Sequence, residues 1–212
     1  APTTAGEDKT VAYIVDRFKA AGLQPGNHGS WFQDVPMVEI TAQDVAPLTF
    51  AGGSAPVSLS YRTGMVAGTY RVVPKIDIAN SPVVFVGYGL DVPSHGLDDY
   101  DGLDVEGKVV LALYGMPEGL PSELAAHLGS AKATTAFEHG AVGYIMIHSA
   151  DTRNIPWSAL MGYFGEPQTR WATADGVVQG DAPGIQVEGF LSQPTTALLF
   201  EAAGQNLTAI QD

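Results

Sequence analysis

The sequence predicts a mixed fold, α+β or α/β, organised on a partly parallel sheet. Two observations carry that expectation. Residues 83–89 (VVFVGYG), 108–115 (KVVLALYG) and 141–148 (AVGYIMIH) are near-continuous apolar runs rich in β-branched residues, as in strands buried on both faces. Between the last two, residues 122–139 place Leu124, Leu128, Ala131 and Phe137 on an imperfect helical face that Gly140 ends. Strand, helix and strand at this spacing predict parallel strands joined by a right-handed crossover. Apolar residues make up 45% of the chain, enough for a real core and against global disorder.

The remaining elements follow in order. From Lys9 to Ala21, Val11, Ile14, Val15 and Phe18 form one apolar stripe with helical period. Glu7 and Asp8 precede it and Arg17 and Lys19 close it, which suits the helix dipole. Gly22 and Pro25 stop the helix. GNHGS is a turn, and Trp31–Ile40 reads as an edge strand because Pro36 interrupts it. Residues 41–82 hold short β-prone pieces, APVSLSYR and GMVAGTYRVV, between Gly and Pro. Residues 149–183 are polar and aromatic and carry Trp157, Tyr163, Phe164 and Trp171. A structureless loop of that length is unusual in a compact domain, so the stretch is either a functional excursion or hides a short element. GIQVEGF then reads as a strand. SQPTTALLFEAAGQ reads as a helix with Ser192 as N-cap, Pro194 in the first turn and Gly204 as the stop.

Composition removes several functions. Ten Lys and Arg face 23 Asp and Glu, for a net charge of -13, and the basic residues never cluster. No cationic stripe for a phosphate backbone is available, and anionic membranes are poor partners. No run approaches the roughly 20 apolar residues of a membrane span. The absence of cysteine excludes disulfides, thiolate zinc sites and a Cys nucleophile. The opening APTTAGEDKT lacks the basic-then-apolar pattern of a signal peptide, in keeping with a mature or trimmed product.

The search for chemistry returns no catalytic constellation. There is no G-x-S-x-G elbow. His148, Ser149 and Asp151 are neighbours in sequence, whereas triad members converge in space. VGYGLDV suggests a dinucleotide loop, but Val92 takes the third Gly position and Pro93 and Gly96 break the helix that a phosphate cradle needs. HGLDDYDGLDVEG gathers Asp98, Asp99, Asp101, Asp104 and Glu106. With Gly102 at the invariant EF-hand glycine, Leu97 and Lys108 fall where Asp and Glu are required. The cluster reads as a solvated inter-strand loop. His28, His95, His127, His139 and His148 form no H-x-x-x-H pair and read as isolated surface or core histidines. Trp157, Tyr163, Phe164 and Trp171 are either a recognition surface or the anchors of a long loop.

Two blocks carry a resemblance. Residues 83–117, with Gly87–Gly89 as G-Y-G, Asp98–Tyr100 as D-D-Y and Gly102–Val110 as G-L-D-V-x-G-K-V-V, resemble the protease-associated domain inserted in zinc-dependent aminopeptidases of the di-zinc exopeptidase family. GAVGYIMIH and GIQVEGFLSQPTTALLFEAAG are similar to that domain's later strands and helices. The N-terminal block, with A-G-L-x-P at residues 21–25 and W-F-Q-x-V-P at residues 31–36, is similar to the segment that opens the peptidase domain itself. The resemblance implies residues 1–40 as first helix and strand of a peptidase domain and 41–212 as the protease-associated domain. It implies a curled β-sheet or open β-barrel with flanking helices. It implies a non-catalytic accessory role, modulating substrate access or protein contact, in a secreted or periplasmic enzyme. The family's two zinc ions belong to the catalytic domain, and no residue here matches their ligand motifs. The partners implied are that catalytic domain and a peptide or protein substrate. The alternative is a stand-alone peptide- or protein-binding module that uses the aromatic 149–183 loop. On the family reading, the stripe Val11, Ile14, Val15 and Phe18 packs on a catalytic core outside this chain.

Overall fold

A computed structural model describes residues 4–148, 155–180 and 182–211. The fold is α+β. The chain divides into two compact units, one up to Pro36 and one from Met37 onward.

The first unit is built on helix α1 (Ala5–Ala20). Thr4 caps it by accepting the Glu7 N–H, acidic residues occupy the first turn and Arg17 and Lys19 the last, as the dipole favours. Gly22 ends it at a φ of 79°. Of the apolar stripe, Val15 is buried while Ile14 and Phe18 stay exposed. The Phe18 ring lies 6.3 Å from that of Trp31.

The second unit begins with β1 (Met37–Ile40). This strand is shorter than the Trp31–Ile40 reading, because the chain turns extended only after Pro36. Short strands β2 (Leu48–Phe50) and β3 (Val57–Leu59) form an antiparallel hairpin, followed by β4 (Met65–Gly68) and β5 (Val83–Phe85). Strands β6 (Asp91–Val92) and β7 (Leu97–Asp98) flank a single 3-10 turn, and β8 (Val109–Leu113) follows. Helix α2 (Ser122–Glu138) leads to β9 (Gly143–Ile147). Helix α3 (Trp157–Gly165) and β10 (Gln168–Trp171) occupy the stretch that had no assigned element. The chain closes with β11 (Val187–Leu191), α4 (Gln193–Ala202) and α5 (Leu207–Gln211).

The central sheet is open, with five strands in the order β4-β11-β9-β8-β5. Strands β5, β8, β9 and β11 are parallel, and β4 joins the edge antiparallel. The expected strand–helix–strand unit is therefore present as β8–α2–β9. Every residue of β8 is buried, which is why its sequence shows no alternation. Side chains still alternate between faces. Val109, Leu111, Leu113, Ile145, Ile147 and Leu191 join one cluster with Phe200 and Leu207. Val110, Ala112 and Tyr144 face the other way, with Tyr100, Val105 and Ala136. Gly189 lets β11 approach β4, since a Cβ there would lie 2.2 Å from the Val66 carbonyl oxygen. The chain order of the parallel strands advances across the sheet in one direction. It therefore creates no reversal point, the usual place for a ligand crevice in open α/β sheets. Ser192 stands at the α4 cap without capping it. Its Oγ pairs instead with Thr195 Oγ1.

Candidate functional site

The acidic loop is a structural clasp. Gly87 adopts a φ of 56°, and a Cβ on it would lie 3.1 Å from Asp99 Oδ1. The other Asp99 oxygen accepts the Leu90 N–H at 2.9 Å. The G-Y-G turn and the D-D-Y loop thus lock together. Asp104 accepts from Lys108 Nζ at 2.8 Å and from the Glu106 N–H at 3.1 Å. The Lys108 hydrogen bond, followed by the Glu106 N–H, holds its carboxyl below the usual range. Asp91 pairs with His139 at 2.8 Å, and the His139 ring stacks on Tyr100 with centroids 4.2 Å apart. This ties the end of α2 to the β6–β7 hairpin. Among the described residues, no three His, Asp or Glu side chains gather as metal ligands.

The four aromatic candidates are only partly brought together. Trp157 opens α3 and its Nε1–H donates to the Arg62 carbonyl at 2.7 Å. Its ring meets His148 edge-on at 5.6 Å, and His148 Nε2 lies 2.8 Å from the Ile155 carbonyl. That contact and the intervening chain hold Arg62 at a positive φ of 72°. Phe164 packs edge-on against Phe190 of the sheet, and its carbonyl accepts from Tyr61 Oη at 3.1 Å. Trp157 and Phe164 thus anchor α3. Tyr163 and Trp171 remain 47% and 52% exposed. Trp171 stands on β10 opposite Met37 of β1, in a separate two-stranded ribbon. Ser149 and Asp151 lie outside the described residues.

A polar seam beneath α2 and α3 was missed in the sequence. Tyr70 Oη lies 2.9 Å from Tyr163 Oη, and the Arg170 guanidinium sits 3.7 Å above the Tyr70 ring, a cation–π contact. Burial first, then the Tyr163 hydroxyl and the Glu188 charge, push the Tyr70 phenol up. Glu188 projects from β11, where it registers with Gly68 on one side and Tyr144 on the other. Burial raises its carboxyl, with Arg170 opposing. The hydroxyls of Tyr144 and Tyr100 are buried without a hydrogen-bond partner, and burial raises both phenols. At the far end, Lys132 Nζ donates to the Leu113 and Gly115 carbonyls. Burial lowers its ammonium to about 8, against the pull of Asp99. Buried ionisable groups in a row are a functional signal only when a ligand can reach them; here α2 and α3 cover them. The accessible part of the region is the outer side of α3, β10 and β1.

No family model matches the chain, and no curated protein matches it. Among solved structures, the aminopeptidase from Aneurinibacillus sp. strain AM-1 is similar over 92% of this chain, at 18% identity and a TM-score of 0.34. The chain spans about a third of that protein, 35% of its length.

Proposed function

We propose that this chain is a non-catalytic accessory domain of a zinc-dependent aminopeptidase, of the protease-associated type, that contacts peptide or protein in a secreted or periplasmic enzyme. One observation carries the reading. The residues that bear the resemblance are spent on internal structure: Asp99 holds Leu90 and closes on Gly87, Asp104 holds Lys108, and Asp91 holds His139. The polar groups most able to do chemistry are covered, while Tyr163 and Trp171 stay exposed, and such residues dominate binding hot spots. The zinc ions of the family do not fit here. The Asp91–His139 pair lacks a third ligand among the described residues, and His148 is turned to a backbone carbonyl. The zinc site belongs to the parent's catalytic domain.

The test is a pair of assays. The purified chain with added zinc should not hydrolyse an aminoacyl-nitroanilide. Deleting this domain from the complete enzyme should change kcat/KM for a polypeptide more than for the nitroanilide. Turnover by the isolated chain at the rate of a complete aminopeptidase would sink the accessory reading.

A further inference from the structure

Strand β1 has one ladder partner, β10, and its other edge is unpaired. An open groove runs along that edge, lined by Glu39, Ile40 and Thr41 on one side and by residues 71–74 on the other, with room for about 310 Å³. The second wall is also extended. Val72 and Val73 make no backbone hydrogen bond among the described residues and are 59% and 40% exposed. Two unpaired backbone edges around one groove are the setting in which an added strand is accepted. Exposed β-branched side chains favour apolar, β-branched residues in that strand.

Charge narrows the occupant. The described residues hold three ion pairs, Lys75–Asp77, Lys108–Asp104 and His139–Asp91. Arg71 is in none of them, although the chain carries -13. Its guanidinium lines the groove unneutralised, with Glu39 on the opposite wall. A strand with one carboxylate meets Arg71, whereas a polyacidic one meets Glu39 and the field of the whole chain. The same field works against a second copy pairing edge to edge.

We propose that this groove binds an extended, β-branched peptide carrying a single carboxylate, as a strand added to β1 with the carboxylate on Arg71. The inference deepens the accessory-domain reading and rests on it for the supply of peptide.

The probe is a fluorescein-labelled peptide of valine, valine, aspartate, valine and valine, followed by fluorescence anisotropy on the whole chain. Binding should weaken at least tenfold when aspartate is replaced by asparagine, when alternate peptide nitrogens are methylated, or in Arg71→Gln. Trp171→Ala should leave it unchanged. Circular dichroism melts confirm that both variants fold. Absence of binding, or binding indifferent to N-methylation or to Arg71→Gln, overturns the groove. Loss in Trp171→Ala alone moves the contact to the aromatic ribbon, overturning the groove while leaving the accessory role standing. A dimer in sedimentation that Arg71→Gln dissolves makes a second copy the occupant and also overturns the proposal. Catalysis by the chain alone would remove the accessory reading without touching the peptide result.

Discussion

The two faces of the central sheet are built from the same strands and do different work. On one face Leu111, Leu113, Ile145, Ile147 and Leu191 meet Phe200 and Leu207 with no ionisable side chain among the buried members. On the other, the buried set includes Tyr100 and Tyr144, and Lys132 and Glu188 lie close by. The first face is covered by the β2–β3 hairpin and the C-terminal helices, elements that bring apolar side chains at short range. The second is covered by the connections between parallel strands, which also carry the loops and their polar residues. A face of the first kind supplies stability. One of the second kind gives up some stability by burying groups that water would hold.

The largest expected effect tests the first face. Ile147→Ala removes a side chain that is fully buried, and a core truncation of this kind costs about 2–5 kcal/mol. Urea denaturation should show the loss with the m-value unchanged. A cost under 1 kcal/mol would mean that this face repacks freely, and the contrast would fail.

The next effect is electrostatic and separates the faces by pH. The Lys132 ammonium is lowered by burial from 10.5 to about 8 in the folded chain. Between those values the unfolded chain binds more protons, so stability rises with pH, by no more than about 1.4 kcal/mol per pH unit. Tyr70, Tyr100 and Tyr144 act in the opposite sense, since their phenols are raised above 10.0 by burial. Unfolded tyrosines lose protons first, so stability falls from about pH 10 upward. Thermal melts should therefore peak between pH 8 and 10. In Lys132→Met the rise should vanish and the fall remain. A flat profile in the parent chain would remove the buried ammonium from the account.

Tyr144→Phe comes third, on the same strand as Ile147 but on the other face. The Tyr144 hydroxyl is buried without a partner. Removing an unsatisfied group while keeping its shape is neutral or favourable, here about 1 kcal/mol of added stability. Destabilisation comparable to Ile147→Ala would show that the hydroxyl is bonded, and would make the two faces alike.

The first face was easier to read from sequence than the second. The strands β5, β8, β9 and β11 and the helices α2 and α4 announce themselves through unbroken apolar runs and helical period, because burial on both sides demands them. Helix α3 does not. WSALMGYFG is apolar nearly all round, with two glycines in nine residues, so no stripe marks it. Strand β10, QTRW, has no apolar alternation, and its partner β1 lies far back in the chain. The four aromatic residues were legible as a group, but their division into the anchors Trp157 and Phe164 and the exposed Tyr163 and Trp171 depends on that pairing. Tyr100 was visible inside the D-D-Y loop. Lys132 had no local signal, since a lysine on a helix ordinarily faces water.

Glu188 had a signal that went unused: a charge inside the otherwise apolar strand GIQVEGF. It also sets the smallest and most specific test of the second face. Burial raises its carboxyl above the ordinary 4.5 while Arg170 pulls it down. A carboxyl raised on folding favours the folded state below its unfolded value and loses that advantage as pH rises through the folded value. At neutral pH the ionised Glu188 therefore works against the fold, in contact with no hydrogen-bond donor among the described residues. Glu188→Gln removes the charge and keeps the shape. Its melting temperature should exceed that of the parent at pH 7, and the difference should close as pH falls toward 4, where both side chains are neutral. A lower melting temperature at pH 7 would mean that Arg170 holds Glu188 more strongly than burial penalises it. The seam would then be a stabilising ion pair, and the second face would contribute to stability as the first does.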